Sequence, residues 1–213
     1  MKFRRLIEIV DDEPVFETGL LLAGDVDPDH VRRQLTRWTQ AGRVYQLRRG
    51  LYALAPPYQK VKPHPFLIAN KLLHGSYVSC QSALAFYDLI PEYTPVVVSV
   101  SAGRTNRRNT PLGSFMFRHI HRKHFWGYRM QPVSYGQQAL IATPEKALLD
   151  LMYLTPYVDF MAYVRSLRLQ NVEGFNPEGL LSSASRFNKP KMMRAADQLS
   201  TLLQVPMEGD GLG

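Results

Sequence analysis

The feature that most limits what this chain can become lies between His30 and Gly50, a stretch with six arginines and no acidic residue. The segment HVRRQLTRWTQAG has helical periodicity. RVYQLRRGLYAL, which follows without a break, has the pattern of a tight two-stranded hairpin. At about 100° per residue, Val31, Leu35 and Trp38 share one narrow apolar stripe, while Arg33, Thr36, Arg37 and Gln40 point the other way. Asp29, after Pro28, sits where an acid complements a helix dipole. In the hairpin, Arg48-Arg49-Gly50 makes the turn, with the glycine free to take positive φ. Two arginines at a loop tip serve no core. Together these elements match a winged helix-turn-helix grip on DNA. Arginine forks onto guanine O6 and N7, and glutamine pairs with adenine. The candidate base-edge readers are therefore Arg33, Arg37 and Gln40, with Thr36 suited to a thymine methyl or a phosphate. Arg32, Arg48 and Arg49 are the candidate anchors on the backbone or minor groove. The plainer reading is a solvated helix face; the adjoining hairpin with its own arginine pair favours DNA.

The surrounding sequence completes such a domain. Phe3 to Val10 reads as a first helix and VFETGLLLAG, ending at Gly24, as a second, before the turn DVDP. Glu8, Asp11, Asp12, Glu13 and Glu17 place the acids early and leave the basic side late. Prolines at 56, 57, 63 and 65 then disfavour helix and mark a linker. The expected organisation is a winged helix-turn-helix over residues 1–56, a larger mixed α/β domain over 57–205 and a flexible tail over 206–213, an α+β chain as a whole.

In the larger part, Pro65 to His74 reads as a helix, Tyr77-Val78 as a short strand and Ser79 as the cap of a helix reaching Ile90. PVVVSVS is a buried-type strand, and Ser114 to His121 and Trp126 to Met130 are two more. Thr143-Pro144-Glu145 and Asn176-Pro177-Glu178 are strong helix starts, each a cap followed by proline and an early acid. Val158 to Leu169 and Pro190 to Gln204 read as further helices.

A chain of 213 residues with 45% hydrophobic content can bury a substantial core. Its net charge of +8 and pI near 9.7 suit a nucleic-acid partner. The single cysteine, Cys80, excludes an internal disulfide and reads as a small buried thiol. The acids in MKFRRLIEIVDDE come too early for a secretory signal, and no apolar run reaches membrane-spanning length, so the expected compartment is the cytoplasm.

From Tyr93 to Thr143, 51 residues, there is no Asp or Glu. Arg104, Arg107, Arg108, Arg118, Arg122, Lys123 and Arg129 fall within this span, interleaved with His119, His121 and His124. Arg104 to Arg108 reads as a polar loop. The strand FRHIHRK has no clean apolar face and is expected at a sheet edge or on an open sheet. Three readings of this second basic surface stay open: a further nucleic-acid contact, a docking face for RNA or an acidic partner, and ordinary solvation. The histidines have no cysteine or carboxylate beside them, so they are expected to be solvated strand residues and not zinc ligands.

Catalytic patterns are missing: there is no phosphate-binding glycine loop, HExxH, GxSxG or CxxC. Glu145 is explained by a helix start, and Lys146 with Asp150 by an ordinary i,i+4 pair. No catalytic residue, metal site or cofactor is expected.

The segments VFETGLLLAG and VRRQLTRWTQAGRVYQLRRGLYAL, then YVSCQSALAFYDLIPE, VVVSVSAGRTNRR, FMFRHI and IATPEKALLDLMYL, stand in the order of the AbiEi family of antitoxins. The chain resembles that family over roughly residues 14–205, with ATPEKALLDLMY the most specific piece. This resemblance implies a transcriptional autorepressor and antitoxin of a type IV toxin-antitoxin system. Its partners would be double-stranded DNA bearing an inverted-repeat operator and, without a stable complex, a nucleotidyltransferase-like toxin. The helix and hairpin arginines map onto the family's DNA-reading elements, and the Arg104 to Arg129 surface loosely onto its C-terminal basic face. The alternative is an RNA- or protein-binding module with a winged helix and no antitoxin role.

Overall fold

The first helix, α1 (Phe3–Val10), forms where it is expected, with Leu6 and Val10 buried one turn apart and Arg4 paired to Glu8 on the outside. The computed structural model describes residues 1–23, 26–91, 94–155, 160–172 and 175–204. The helix expected over Val15 to Gly24 does not form. Phe16–Glu17 is instead a two-residue strand, β1, followed by a 3-10 helix, Thr18–Leu22; Gly24 lies outside the described residues. The reason is packing. Val15 belongs to one hydrophobic core and Phe16 to another. An extended backbone turns successive side chains to opposite sides, which a helix cannot do.

Helix α2 (Pro28–Gln40) starts on Asp27, whose carboxylate accepts the Asp29 N–H at 2.9 Å, with Pro28 in the first turn. Val31, Leu35 and Trp38 are its buried face, as the angular pattern requires. It leads into the hairpin β2 (Val44–Arg48) and β3 (Leu51–Leu54), turned at Gly50 with φ 84°. The three strands form an antiparallel sheet in the order β1-β3-β2. Strand β3 is buried on both sides. Tyr52 and Leu54 close a small core with Leu6, Val10, Phe16, Val31, Leu35 and Trp38, while Leu51 and Ala53, with Leu47, belong to the larger core behind.

That larger core surrounds a six-stranded mixed sheet. Its elements in chain order are α3 (Pro65–Leu72), β4 (Ser76–Val78), α4 (Cys80–Phe86), β5 (Val96–Ser101), β6 (Asn106–Thr110), β7 (Gly113–His119), β8 (Tyr128–Pro132), β9 (Gln138–Ala142) and α5 (Pro144–Leu154). The helices α6 (Phe160–Ser166), α7 (Pro177–Ser185) and α8 (Pro190–Gln204) follow. Strand order is β6-β7-β5-β4-β9-β8, with β5 and β7 parallel, β4 and β9 parallel and the other pairs antiparallel. Helix α3 packs on β4, β5 and β9, whereas α4 packs on β5 and α5, and α5 also meets α7 and α8. The two proline-led helix starts behave as read: Thr143 accepts the Lys146 N–H, and Asn176 the Gly179 N–H. The fold is α+β. Among the described residues no helix is long and apolar enough to cross a membrane.

Two strand expectations need correction. Asn106–Thr110 is not loop but the edge strand β6, pairing with β7 from Asn106 opposite Phe117 to Thr110 opposite Gly113. Strand β7 is accordingly interior, between β6 and β5. Its alternating pattern does bury Phe115 and Phe117, a signal hidden by the basic and histidine residues at its end.

Candidate functional site

The outer face of α2 is the site that the sequence singles out, and the helix presents it in full. Arg32, Arg33, Thr36, Arg37 and Gln40 are all exposed, opposite the buried stripe. Arg32 reaches back to Asp29 at 2.8 Å, and Arg33 lies 3.6 Å from Asp27. These are exposed pairs of little energetic weight, so neither guanidinium is committed. The backbone N–H of Asp29 holds the Asp27 carboxyl below its ordinary range, which keeps the helix cap ionised. The Thr36 hydroxyl donates to the Arg32 carbonyl at 3.0 Å. The side chains of Arg37 and Gln40 have no hydrogen-bond or ion-pair partner among the described residues.

The hairpin tip divides its two arginines. Arg49 is exposed. Arg48 is spent inside the molecule. Its Nε and Nη2 each donate to the Lys71 carbonyl at 3.2 Å, Nη2 also meets Glu17 Oε1 at 3.1 Å, and His74 Nε2 lies 3.3 Å away. The cause is a bulge. The register shifts between Gln46 and Arg48, so Leu47 and Arg48 together oppose Leu51. A bulge re-aims side chains, and here Arg48 turns toward the end of α3. Arg48 is thus a dock between hairpin and α3, not an anchor held out to a partner.

The second basic set does not form one patch. Arg104 occupies the turn before β6, which His119 ties to the end of β7 through Thr105 Oγ1 and the Gly103 carbonyl. Arg107 projects from β6 and is exposed, whereas Arg108 is half-buried with its Nε unpartnered. Arg122 and Lys123 are exposed on a 3-10 turn. Arg118 is half-buried and donates to the Leu154 carbonyl at 2.7 Å. Arg129 is on β8, the opposite edge of the six-stranded sheet from β6, roughly 24 Å away at ~4.8 Å per strand. His119 and His121 are exposed, but His124 is fully buried, contrary to the reading of all three as solvated. Among the described residues no group of His, Cys, Asp and Glu is arranged to hold a metal ion.

Sequence reasoning missed a buried polar cluster on α5. Lys146 and Asp150 are 1% and 0% exposed and ion-paired. The other carboxylate oxygen accepts from Tyr77 at 2.9 Å and Ser79 at 2.8 Å. The Lys146 ammonium also sits over the rings of Trp126 at 4.8 Å, Phe187 at 5.3 Å and Tyr77 at 5.5 Å. Burial pushes Lys146 down and Asp150 up from their ordinary values, and the pairing opposes both shifts. His124 stacks on Phe187 at 4.5 Å with neither ring nitrogen partnered. Burial, with Lys123 and Lys146 nearby, pushes it down to about 4. The i,i+4 spacing was visible, but so was the surrounding ALLDLMYL. A helix apolar nearly all round is a buried helix, and its charged pair must be buried with it. Cys80 is buried as expected, its thiol pushed up to about 12 by that burial.

Compared with protein-family models and with curated proteins, the chain matches none. Among solved structures it is similar to the crystal structure of RV2827C protein from Mycobacterium tuberculosis, with a TM-score of 0.60 and 18% sequence identity, covering 95% of this chain and 77% of that chain. At that identity the likeness speaks to the fold alone.

Proposed function

We propose that this chain is a DNA-binding transcriptional autorepressor and the antitoxin of a type IV toxin-antitoxin system, without catalytic activity of its own. In this reading it acts in the cytoplasm, binds inverted repeats at its own promoter and counters a nucleotidyltransferase-like toxin. The observation that carries the DNA half is the uncommitted outer face of α2 running directly into an antiparallel hairpin, within a sheet ordered β1-β3-β2. That order of helix, strand, helical turn, helix and hairpin supports reading the segment as a winged helix-turn-helix, with the 3-10 turn in the place of the second helix. Arg33, Arg37 and Gln40 read base edges, Thr36 assists, Arg32 and Arg49 hold phosphates, and Arg48 fixes the hairpin that presents Arg49. The antitoxin half is supported by the resemblance of the α4, β5, β7 and α5 segments to AbiEi antitoxins.

The test is an electrophoretic shift with the chain's own upstream DNA, run against tRNA at several salt concentrations. The wild type should prefer the operator fragment. The Arg33→Ala, Arg37→Ala, Arg49→Ala triple variant should lose at least about 100-fold, since base-reading arginines each contribute about 1–3 kcal/mol. Unchanged affinity in the triple variant, or equal binding to tRNA, would overturn the DNA reading. Failure to relieve growth arrest by a nucleotidyltransferase encoded in an adjacent reading frame would overturn the antitoxin reading.

A further inference from the structure

On the α5 side of the six-stranded sheet lies an open cavity of about 460 Å³, within the range of small-molecule sites. Among the described residues its lining is mixed: an aliphatic part formed by Val98 from β5, Met116 from β7, and Leu151 and Leu154 from α5, and a polar part that includes Cys80 and Thr155. Gln81 and Tyr163, hydrogen-bonded to each other at 2.7 Å, close one side. Arg118 also lines it. Of the five N–H groups a guanidinium offers, one is used, in the bond to the Leu154 carbonyl. No carboxylate of the described residues pairs with it. The carbonyl end of α5 supplies at most about half a balancing charge, so a half-buried cation faces a partly aliphatic hollow incompletely neutralised.

The neighbouring strand adds a second cation. Arg107 on β6 stands directly opposite Met116. Directly paired residues share a sheet face, and Arg118 is two residues further along β7, the diagonal neighbour on that face. Arg118 thus lines the hollow, and Arg107, outside the lining itself, stands on the same sheet face one strand further out, within reach of a long side chain. Guanidinium forks match carboxylate and phosphate oxygens in pairs, and the aliphatic walls reward an apolar body.

We propose that this cavity binds a small organic anion, a carboxylate or phosphate held by Arg118 and Arg107, with a short aliphatic or aromatic body between Val98, Met116, Leu151 and Leu154. This site does not rest on the DNA reading: it is built from the second sheet and from α4, α5 and α6.

Titration calorimetry on the full chain tests it with four probes. Hexanoate and phenyl phosphate carry both features, hexylamine has the body with the opposite charge, and inorganic phosphate has the charge without the body. Hexanoate or phenyl phosphate should bind with a dissociation constant below about 1 mM, and hexylamine and inorganic phosphate at least about tenfold more weakly. Whichever of the two binds more tightly assigns the head group. Arg118→Met should weaken that probe at least tenfold, Arg118→Lys less, and Met116→Trp should abolish binding by filling the hollow. Equal binding of hexanoate and hexylamine, no binding of any probe, or undiminished binding by a folded Arg118→Met chain would overturn the proposal. If Arg118→Met does not fold, the comparison of probes and the Met116→Trp variant decide it.

Discussion

His124 shows what one buried side chain does to the whole stability curve. Its ring is sealed between Phe187 and Tyr153, and its folded pKa lies near 4 instead of 6.5. Below about pH 6.5 the unfolded chain takes up a proton that the folded chain refuses until about pH 4. The unfolded state then binds more protons, so stability falls as the pH falls. This contribution is complete above pH 6.5 and lost progressively between 6.5 and 4. At ~1.4 kcal/mol per pH unit it is on the order of 3 kcal/mol. His124→Phe should keep the stacking and flatten this part of the curve, read as urea midpoints from pH 7 to pH 4. A variant with the same acid slope as the wild type would show that another group titrates there. Nothing in FRHIHRKH marks His124 apart from His119 and His121. Its burial comes from Phe187, 63 positions along the chain, a contact no local pattern encodes. Lys146 and Asp150 were closer to legible, because the apolar run around them gives the burial away.

At the scale of elements, periodicity carried α2 and failed at β1. Thirteen residues of α2 repeat the helical spacing often enough to define both its buried and its exposed face. A two-residue strand has no period, and Phe16–Glu17 exists only because β3 is there to pair with it. The bulge in β2 was hidden for the same reason, and it reverses the role of Arg48. Two substitutions separate the neighbouring arginines. Arg48→Ala should lower stability by about 1–2 kcal/mol, the scale of charged hydrogen bonds at a largely covered position that keeps some solvent screening. Arg49→Ala should leave stability within about 0.5 kcal/mol and weaken DNA binding. Denaturant melts and gel shifts on both variants check this; a destabilised Arg49→Ala or an undisturbed Arg48→Ala would refute the division.

For the whole molecule, charge totals hid geometry. The acid-free run from Tyr93 to Thr143 suggested one basic surface, yet strand order sends Arg107 and Arg129 to opposite sheet edges. Sequence order cannot reveal this, because the sheet is not built in chain order. If β6 and its turn lie along DNA, Arg104→Ala and Arg107→Ala should each reduce the slope of log affinity against log salt by about 0.9. Arg129→Ala should leave the slope unchanged. An equal reduction from Arg129→Ala would put the far edge on DNA as well.

Strand β3 has a further consequence. Because Leu51 and Ala53 close one core while Tyr52 and Leu54 close the other, the first segment cut away near Pro56 would carry a raw apolar flank into water. The two halves are therefore not interchangeable cassettes. A gene fusion that brought this first segment to a new companion would have to bring a matching surface with it, so the two halves are constrained to vary together across their common wall.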